Sequence, residues 1–404
     1  MNIIEGGVCA AKGFLASGIH CGIRKNKGKR DLALIYSEAK CAAAAVYTQN
    51  KTKGAPIVVT RENIADGHAK AVICNSGIAN VCTADGIEKA QSMCDAVAKE
   101  LDIASTDVIV ASTGVIGMPL PIEPIQKGMP QLVKELSPNG GAAAAEGIMT
   151  TDLIKKEIAV SFDIGGVECK MGGIAKGSGM IHPNMATTLC FVTTDAAVSP
   201  AMLDAALREV VADTFNMISV DGDTSTSDML SVLANGLAGN QKIESKGKNY
   251  EVFTAALMAV CRTLAILVAR DGEGATKLIE CNVSGAPSVA VARSAAKSVI
   301  ASSLVKTMIF GADANAGRIL CALGYAEGEF DINKVAVSMG SSAGKISVCK
   351  DGIVLAFSEE KAKEILVKDE ITIDIDLGAG EGQATAWGCD LTYDYVKING
   401  DYRS

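Results

Sequence analysis

The chain has 404 residues, 49% of them hydrophobic and 21% charged, which excludes disorder as its main state and leaves room for two or three domains. A formal net charge of -8 argues against a protein that binds nucleic acid by neutralising phosphates. No uninterrupted apolar run reaches the roughly 18 residues of a membrane span. In chain order, the N-terminal stretch carries Glu5 and lacks a basic region before an apolar core, so a cytoplasmic protein is expected. Residues 31–39, 55–63 and 70–77 are predicted as strands ending in turn residues. Residues 86–101 have helical apolar spacing, and 106–119 is predicted as a strand running into a Gly-rich turn. A helix is predicted over 121–136 with a break or boundary at Pro130, followed by a hairpin around Gly165-Gly166. A short strand follows Pro183, then a helix with Ser199 as cap and Pro200 at its first position. Residues 248–270 read as a long buried helix, split in its apolar run by Arg262 and ended by Asp-Gly-Glu-Gly. The texture changes near Cys281–Ser284, a soft domain boundary, and the chain closes on two alternating strands within 370–380 and 384–400.

The 13 cysteines contain no C-x-x-C pair, and His20, His68 and His182 lie at no metal-ligand spacing. No metal site is expected, and the shortage of histidine weakens a Ser-His-Asp or Cys-His reading.

The stretch from Lys176 to Asp195 is the most unusual. It reads as a plain Gly-rich loop, as a phosphate cradle, or as a bond that cuts itself. The Gly-Ser-Gly spacing fits neither G-x-x-x-x-G-K-[ST] nor a full G-x-G-x-x-G. In the third reading the Ala186-Thr187 bond is cleaved, and Thr187 becomes an N-terminal nucleophile. A threonine hydroxyl needs a base, and a free α-amine with a pKa of about 7.7–8.0 supplies one. Nucleophile and base then come from one residue, and no histidine is required.

Several motifs occur in order: ASTGVIG (Ala111–Gly117), IMTTD (Ile148–Asp152), KGSGMIHPNMAT (Lys176–Thr187), SVDGDTSTSD (Ser219–Asp228), RDGEGATK (Arg270–Lys277), LVKTMIFGAD (Leu304–Asp313) and the final ATAWGCDLTYDYVKINGDYRS. Over nearly its whole length the sequence resembles the ornithine acetyltransferases, the glutamate N-acetyltransferases of arginine biosynthesis. Departures are Ile78, Ala314, Ala316, Ser227 and Ser404, where the family usually has Asn, Pro, Trp, Asn and Thr.

The resemblance implies an α/β fold: a layered αββα-type sandwich with a smaller C-terminal α+β domain. A catalytic domain over 1–280 would be cut between Ala186 and Thr187, and a domain over 281–404 would return its tail to the active site. It implies Thr187 as nucleophile, with Thr113 and Gly114 as oxyanion donors. Thr150, Lys176, Thr187, Glu273, Asn399 and Ser404 would bind substrate, Lys176 through a substrate carboxylate. Glu273 would take either the ornithine side-chain amine or the Thr187 amine. N-acetylornithine and glutamate would be the substrates, without a cofactor, and the cleaved chains would assemble as a heterotetramer. Whether acetyl-CoA also donates is left open by the motifs. An N-terminal-threonine hydrolase, an aminopeptidase or amidase passing the acyl group to water, is the alternative. A third class, an uncut binding protein, would keep its full length.

Overall fold

The computed structural model describes residues 1–182 and 188–400. The first part of the chain forms β1 (Asn2–Ile4), β2 (Phe14–Ile19), β3 (Leu32–Tyr47), α1 (Ala55–Asn63) and β4 (His68–Asn75). Then come α2 (Gly86–Leu101), β5 (Val108–Ser112), α3 (Ile122–Lys134), α4 (Gly141–Ile148), β6 (Lys156–Ile164) and β7 (Val167–Lys176). Next are β8 (Leu189–Thr194), α5 (Pro200–Ala212), β9 (Ile218–Ser219), β10 (Met229–Ala234) and α6 (Lys248–Arg270). The remainder is β11 (Leu278–Ala286), α7 (Val289–Ala301), α8 (Ser303–Phe310), α9 (Ala316–Gly324), β12 (Ala336–Ser341), β13 (Gly344–Lys350), β14 (Ile353–Val354), α10 (Glu359–Leu366), β15 (Glu370–Asp376), β16 (Gly382–Cys389) and α11 (Tyr393–Gly400).

This is the layered α/β architecture expected, in two compact units. The first takes the described residues of 1–177, 184–215 and 224–264; the second takes those of 178–183, 216–223 and 265–404. The contiguous part of the second begins at Ala265, so the change of texture near Cys281 falls inside β11.

Unit 1 holds a nine-stranded sheet in the order β1-β6-β7-β8-β10-β3-β4-β5, with β2 also on β3. The first half of the 16-residue β3 pairs with β2 and β4, and its second half pairs with β10. Alternate residues of both halves, such as Ile35 and Ala43, therefore enter one apolar cluster with Phe14, Ile174 and Phe191. The opposite face, through Leu34 and Ile73, packs on α2 and α3. By length and composition α6 is apolar enough to cross a membrane. In unit 1, however, its Phe253, Leu257, Val260 and Leu264 are fully buried at helical spacing.

Unit 2 holds a seven-stranded sheet, β14-β13-β12-β15-β11-β16-β9, with α7 packed on β11 and β16.

Three local expectations are corrected. Residues 55–63 form α1, not a strand. Pro56 sits in its first turn, and Ile57, Thr60 and Asn63 are buried on one helical face. The β-branched run Ile57-Val58-Val59 costs only a few tenths of a kcal/mol per residue in a helix, less than this burial contributes. Pro130 does not break α3. It lies on the exposed side, where the carbonyl left without a partner meets water. The last predicted strand stops at Cys389, where pairing with β11 ends, and residues 393–400 form α11 instead.

Candidate active site

In unit 1 the parallel strands β4 and β5 end side by side, Asn75 opposite Ser112. Ligands gather at such carboxyl ends in α/β sheets. Asn75 organises the turn that follows. Its Oδ1 accepts from the Gly77 and Ile78 amides, both at 3.1 Å, and its Nδ2 donates to Ser112 Oγ at 2.6 Å. The Thr113 amide donates to the Asn75 carbonyl at 2.9 Å. Gly114 takes φ +125°, and a Cβ there would stand 2.3 Å from the Gly77 carbonyl oxygen. Only glycine lets these two turns pack back to back.

Thr150 and Lys176 are gathered by a residue the sequence reading quoted without a role. The buried Asp152 accepts from the Thr150 amide at 2.9 Å and the Gly177 amide at 2.7 Å. It also forms a 2.7 Å ion pair with Lys156, both side chains being fully buried. Burial alone would raise the Asp152 pKa, but the charges of Lys176 and Lys156, with the Lys156 and Gly177 hydrogen bonds, hold it well below the usual range. Burial pulls Lys176 down, and attraction to Asp152 resists. Burial pushes the Asp228 carboxyl well above the usual range. Asp152 thus stands between two lysines, Lys156 and Lys176. Arg24 joins this cluster to the strand-end turns by donating to the carbonyls of both Ser76 and Met149.

Four donors here are unspent. The Thr113 hydroxyl, Gly114 amide, Thr150 hydroxyl and Lys176 ammonium make no hydrogen bond to any described residue. Thr113, Gly114 and Thr150 are half-buried, and Lys176 is buried.

In unit 2 Glu273 is 7% exposed and accepts from Asn399 Nδ2 at 2.7 Å, so two further predicted residues meet. Its amide donates to the Ser178 carbonyl at 2.9 Å. Gly274, at φ +69°, lets the start of α11 approach, since a Cβ there would lie 2.6 Å from the Tyr395 nitrogen. His182 Nδ1 lies 3.0 Å from Ser219 Oγ. Burial, helped by the Lys297 charge, lowers the His182 pKa to about 4.

Ala186, Thr187 and Ser404 lie outside the described residues. The sequence reading missed Asn75, Asp152, Lys156, Arg24 and Asp221. Asp152 and Asp221 stand inside motifs named above, and Asn75 at the end of a predicted strand; nothing in spacing marks Lys156 or Arg24.

A glycine-locked turn with free donors, beside a buried lysine in a mixed α/β fold, is the equipment of an enzyme. The chain belongs to the ArgJ family, whose model matches residues 15–404. It is 52% identical over 405 residues to the arginine biosynthesis bifunctional protein ArgJ of Caldanaerobacter subterraneus subsp. tengcongensis, with 100% of each chain covered. The protein of that name from Bacillus subtilis is 47% identical over 403 residues, covering 99% of this chain and 97% of its own. Among solved structures, the arginine biosynthesis bifunctional protein ArgJ of Bacillus halodurans matches at 46% identity and a TM-score of 0.50. That match covers 52% of this chain and 97% of the solved chain.

Proposed function

We propose that this chain is a cytoplasmic glutamate N-acetyltransferase of arginine biosynthesis that cuts itself between Ala186 and Thr187, then carries acetyl from N-acetylornithine to glutamate on Thr187. The observation that carries this reading is the set of unspent donors at Thr113, Gly114, Thr150 and Lys176 in a chain alike end to end to proteins named for arginine biosynthesis. That a solved relative, 97% covered, spans only 52% of this chain supports a chain that exists in two pieces. The cleaved chains would assemble as a heterotetramer, with catalytic residues drawn from 1–280 and the tail of 281–404 serving the same site.

In the cut, Thr187 Oγ attacks the Ala186 carbonyl carbon. The C–N bond breaks, the nitrogen takes the hydroxyl proton, and an ester forms. Water hydrolyses that ester, leaving the Ala186 carboxylate and a Thr187 with free amine and hydroxyl.

In turnover, the Thr187 amine takes the proton of its own hydroxyl as the oxygen attacks the acetyl carbonyl. The Gly114 amide and Thr113 hydroxyl meet the developing oxyanion, where one such donor is worth about 2.7–4 kcal/mol. Collapse breaks the C–N bond, the proton passes to the leaving nitrogen, and ornithine departs. Neutral glutamate amine then attacks the acetyl ester, losing a proton as the Thr187 hydroxyl reforms. Lys176 and Thr150 hold a substrate carboxylate, and Glu273 with Asn399 takes an amine. The relatives' name, bifunctional, supports a second activity, which we assign to acetyl-CoA as alternative donor.

Intact-mass measurement before and after N-acetylornithine tests both parts. Two fragments divided at residue 186, the second gaining an acetyl group, are expected; Thr187→Ala should give one inactive 41.6 kDa chain. An active uncut chain would sink the reading, and acetate in place of acetylglutamate would make the protein a hydrolase.

A further inference from the structure

Of the five described residues before the proposed cut, 178–182, two successive ones donate to a single side chain. Asp221 Oδ2 accepts from the Met180 amide at 2.6 Å, and Oδ1 accepts from the Ile181 amide at 2.9 Å. Oδ1 also accepts from the Asp223 amide at 3.2 Å, and Oδ2 from the Tyr395 hydroxyl at 3.2 Å. The preceding residue closes the loop from the other direction, with the Val220 amide donating to the Ile181 carbonyl at 2.7 Å. Upstream, Ser178 Oγ donates to the Asp271 carbonyl at 2.6 Å, and Gly179 lies so close to Glu273 that a Cβ would stand 2.3 Å from its carboxylate. Downstream, His182 meets Ser219. Met180 is held at φ +56°, a left-handed conformation that a side chain adopts only when surroundings impose it.

We infer that Asp221 is a positioning residue for chain division: it clamps residues 180 and 181, which lead to the Ala186-Thr187 bond, and through Tyr395 it anchors the helix that carries Asn399. The inference rests on the proposed self-cleavage. An N-to-O shift needs its reacting atoms about 3–3.5 Å apart, and a misplacement of about 1 Å costs on the order of 100-fold. A loop free to wander before the bond seldom visits that geometry. Two successive amides on the two oxygens of one carboxylate remove that freedom. Asparagine cannot replace it, because its NH2 would face an amide N–H, donor against donor. The second arm acts on α11, which buries no residue of its own. Tyr395 Oη on Asp221 and Asn399 on Glu273 are ties one helical turn apart on it.

The experiment is a time course of chain division for full-length wild type, Asp221→Asn, Asp221→Glu and Tyr395→Phe, with melting temperature measured for each. Asp221→Asn is expected to divide ten- to a hundred-fold more slowly, and Asp221→Glu, which keeps both acceptors and the charge, to recover part of that rate. Tyr395→Phe is expected to divide normally but to show a several-fold higher KM for N-acetylornithine with kcat kept. Division of Asp221→Asn at the wild-type rate would overturn the inference, as would normal KM in Tyr395→Phe. If Asp221→Asn does not accumulate, Asp221→Glu and Tyr395→Phe decide alone: wild-type behaviour in both overturns the inference. A wild-type chain that stays whole while active would fail the cleavage reading itself, and is told apart from these outcomes by the wild-type lane.

Discussion

The two units hold their candidate residues by different means. Unit 1 sets Thr113 and Gly114 on the ends of paired strands, and Thr150 and Lys176 around a fully buried ion pair. The Thr113 amide is fixed on the Asn75 carbonyl, the Thr150 amide on Asp152 and Lys176 in the sheet before any ligand arrives. Unit 2 sets Asn399 on α11, an eight-residue helix at the end of the described chain with no buried residue. It is held there by Thr392 on the Gly274 carbonyl, Tyr395 on Asp221, Asn399 on Glu273 and the edge-on contact of Tyr393 with Phe310. Preorganised donors suit transition-state stabilisation, which gains nothing from donors that must first be assembled. A lightly held helix suits binding and release, because local opening draws on the least stable parts of a fold.

The contrast breaks first at Asp152. Asp152→Ala leaves Lys156 buried without its carboxylate, so unfolding free energy should fall by about 3–5 kcal/mol, read from urea melts. A loss under 1 kcal/mol would mean the ion pair holds nothing. A second consequence follows from the depressed Asp152 pKa. Its stabilisation is present above the unfolded carboxylate pKa of about 3.9 and is lost as pH falls through the folded value. Wild type and Asp152→Ala should therefore converge in stability in strong acid.

Thr113→Ala removes a donor without touching its backbone bond to Asn75. It should lower kcat on the order of 100- to 1,000-fold with KM little changed. A change confined to KM would move Thr113 to ground-state binding and blur the contrast between the units.

Asn399→Ala is the matching change in unit 2. One hydrogen bond to a carboxylate has a net worth of about 1.5–3 kcal/mol when well held, and less on an exposed helix. KM for N-acetylornithine should rise several-fold while kcat and the melting temperature stay close to wild type. A kcat collapse would show that α11 belongs to the preorganised part.

The smallest expected effect is at His182. Its pKa, lowered to about 4 by burial, keeps it neutral above pH 5, so it cannot shape an acid limb near neutrality. The acid limb of kcat/KM should follow a single group with a pKa of about 7–8, the Thr187 amine, and His182→Ala should leave that limb in place. Its disappearance in His182→Ala would assign the base to the imidazole.

Much of this molecule was determined locally. The 3.6-residue spacing over 86–101 and 248–270 and the Ser199-Pro200 cap are short-range signals, and α2, α5 and α6 form where those signals stand. The motif glycines and threonines were legible for the same reason, since a turn such as Ser112-Thr113-Gly114 needs its residue types in consecutive positions. Long-range packing decided the rest. Residues 55–63 carry a strand-like run of β-branched side chains, and only the apolar surface waiting beneath Ile57 and Thr60 makes them a helix. Tyr393 and Tyr395 alternate as a strand would, but past Cys389 there is no partner strand among the described residues, and unpaired backbone turns helical. Asp152, Lys156, Arg24 and Asp221 act through partners 2 to 174 positions away. A buried charge is tolerable only when such a partner is delivered to it, and that delivery is a property of the folded chain alone.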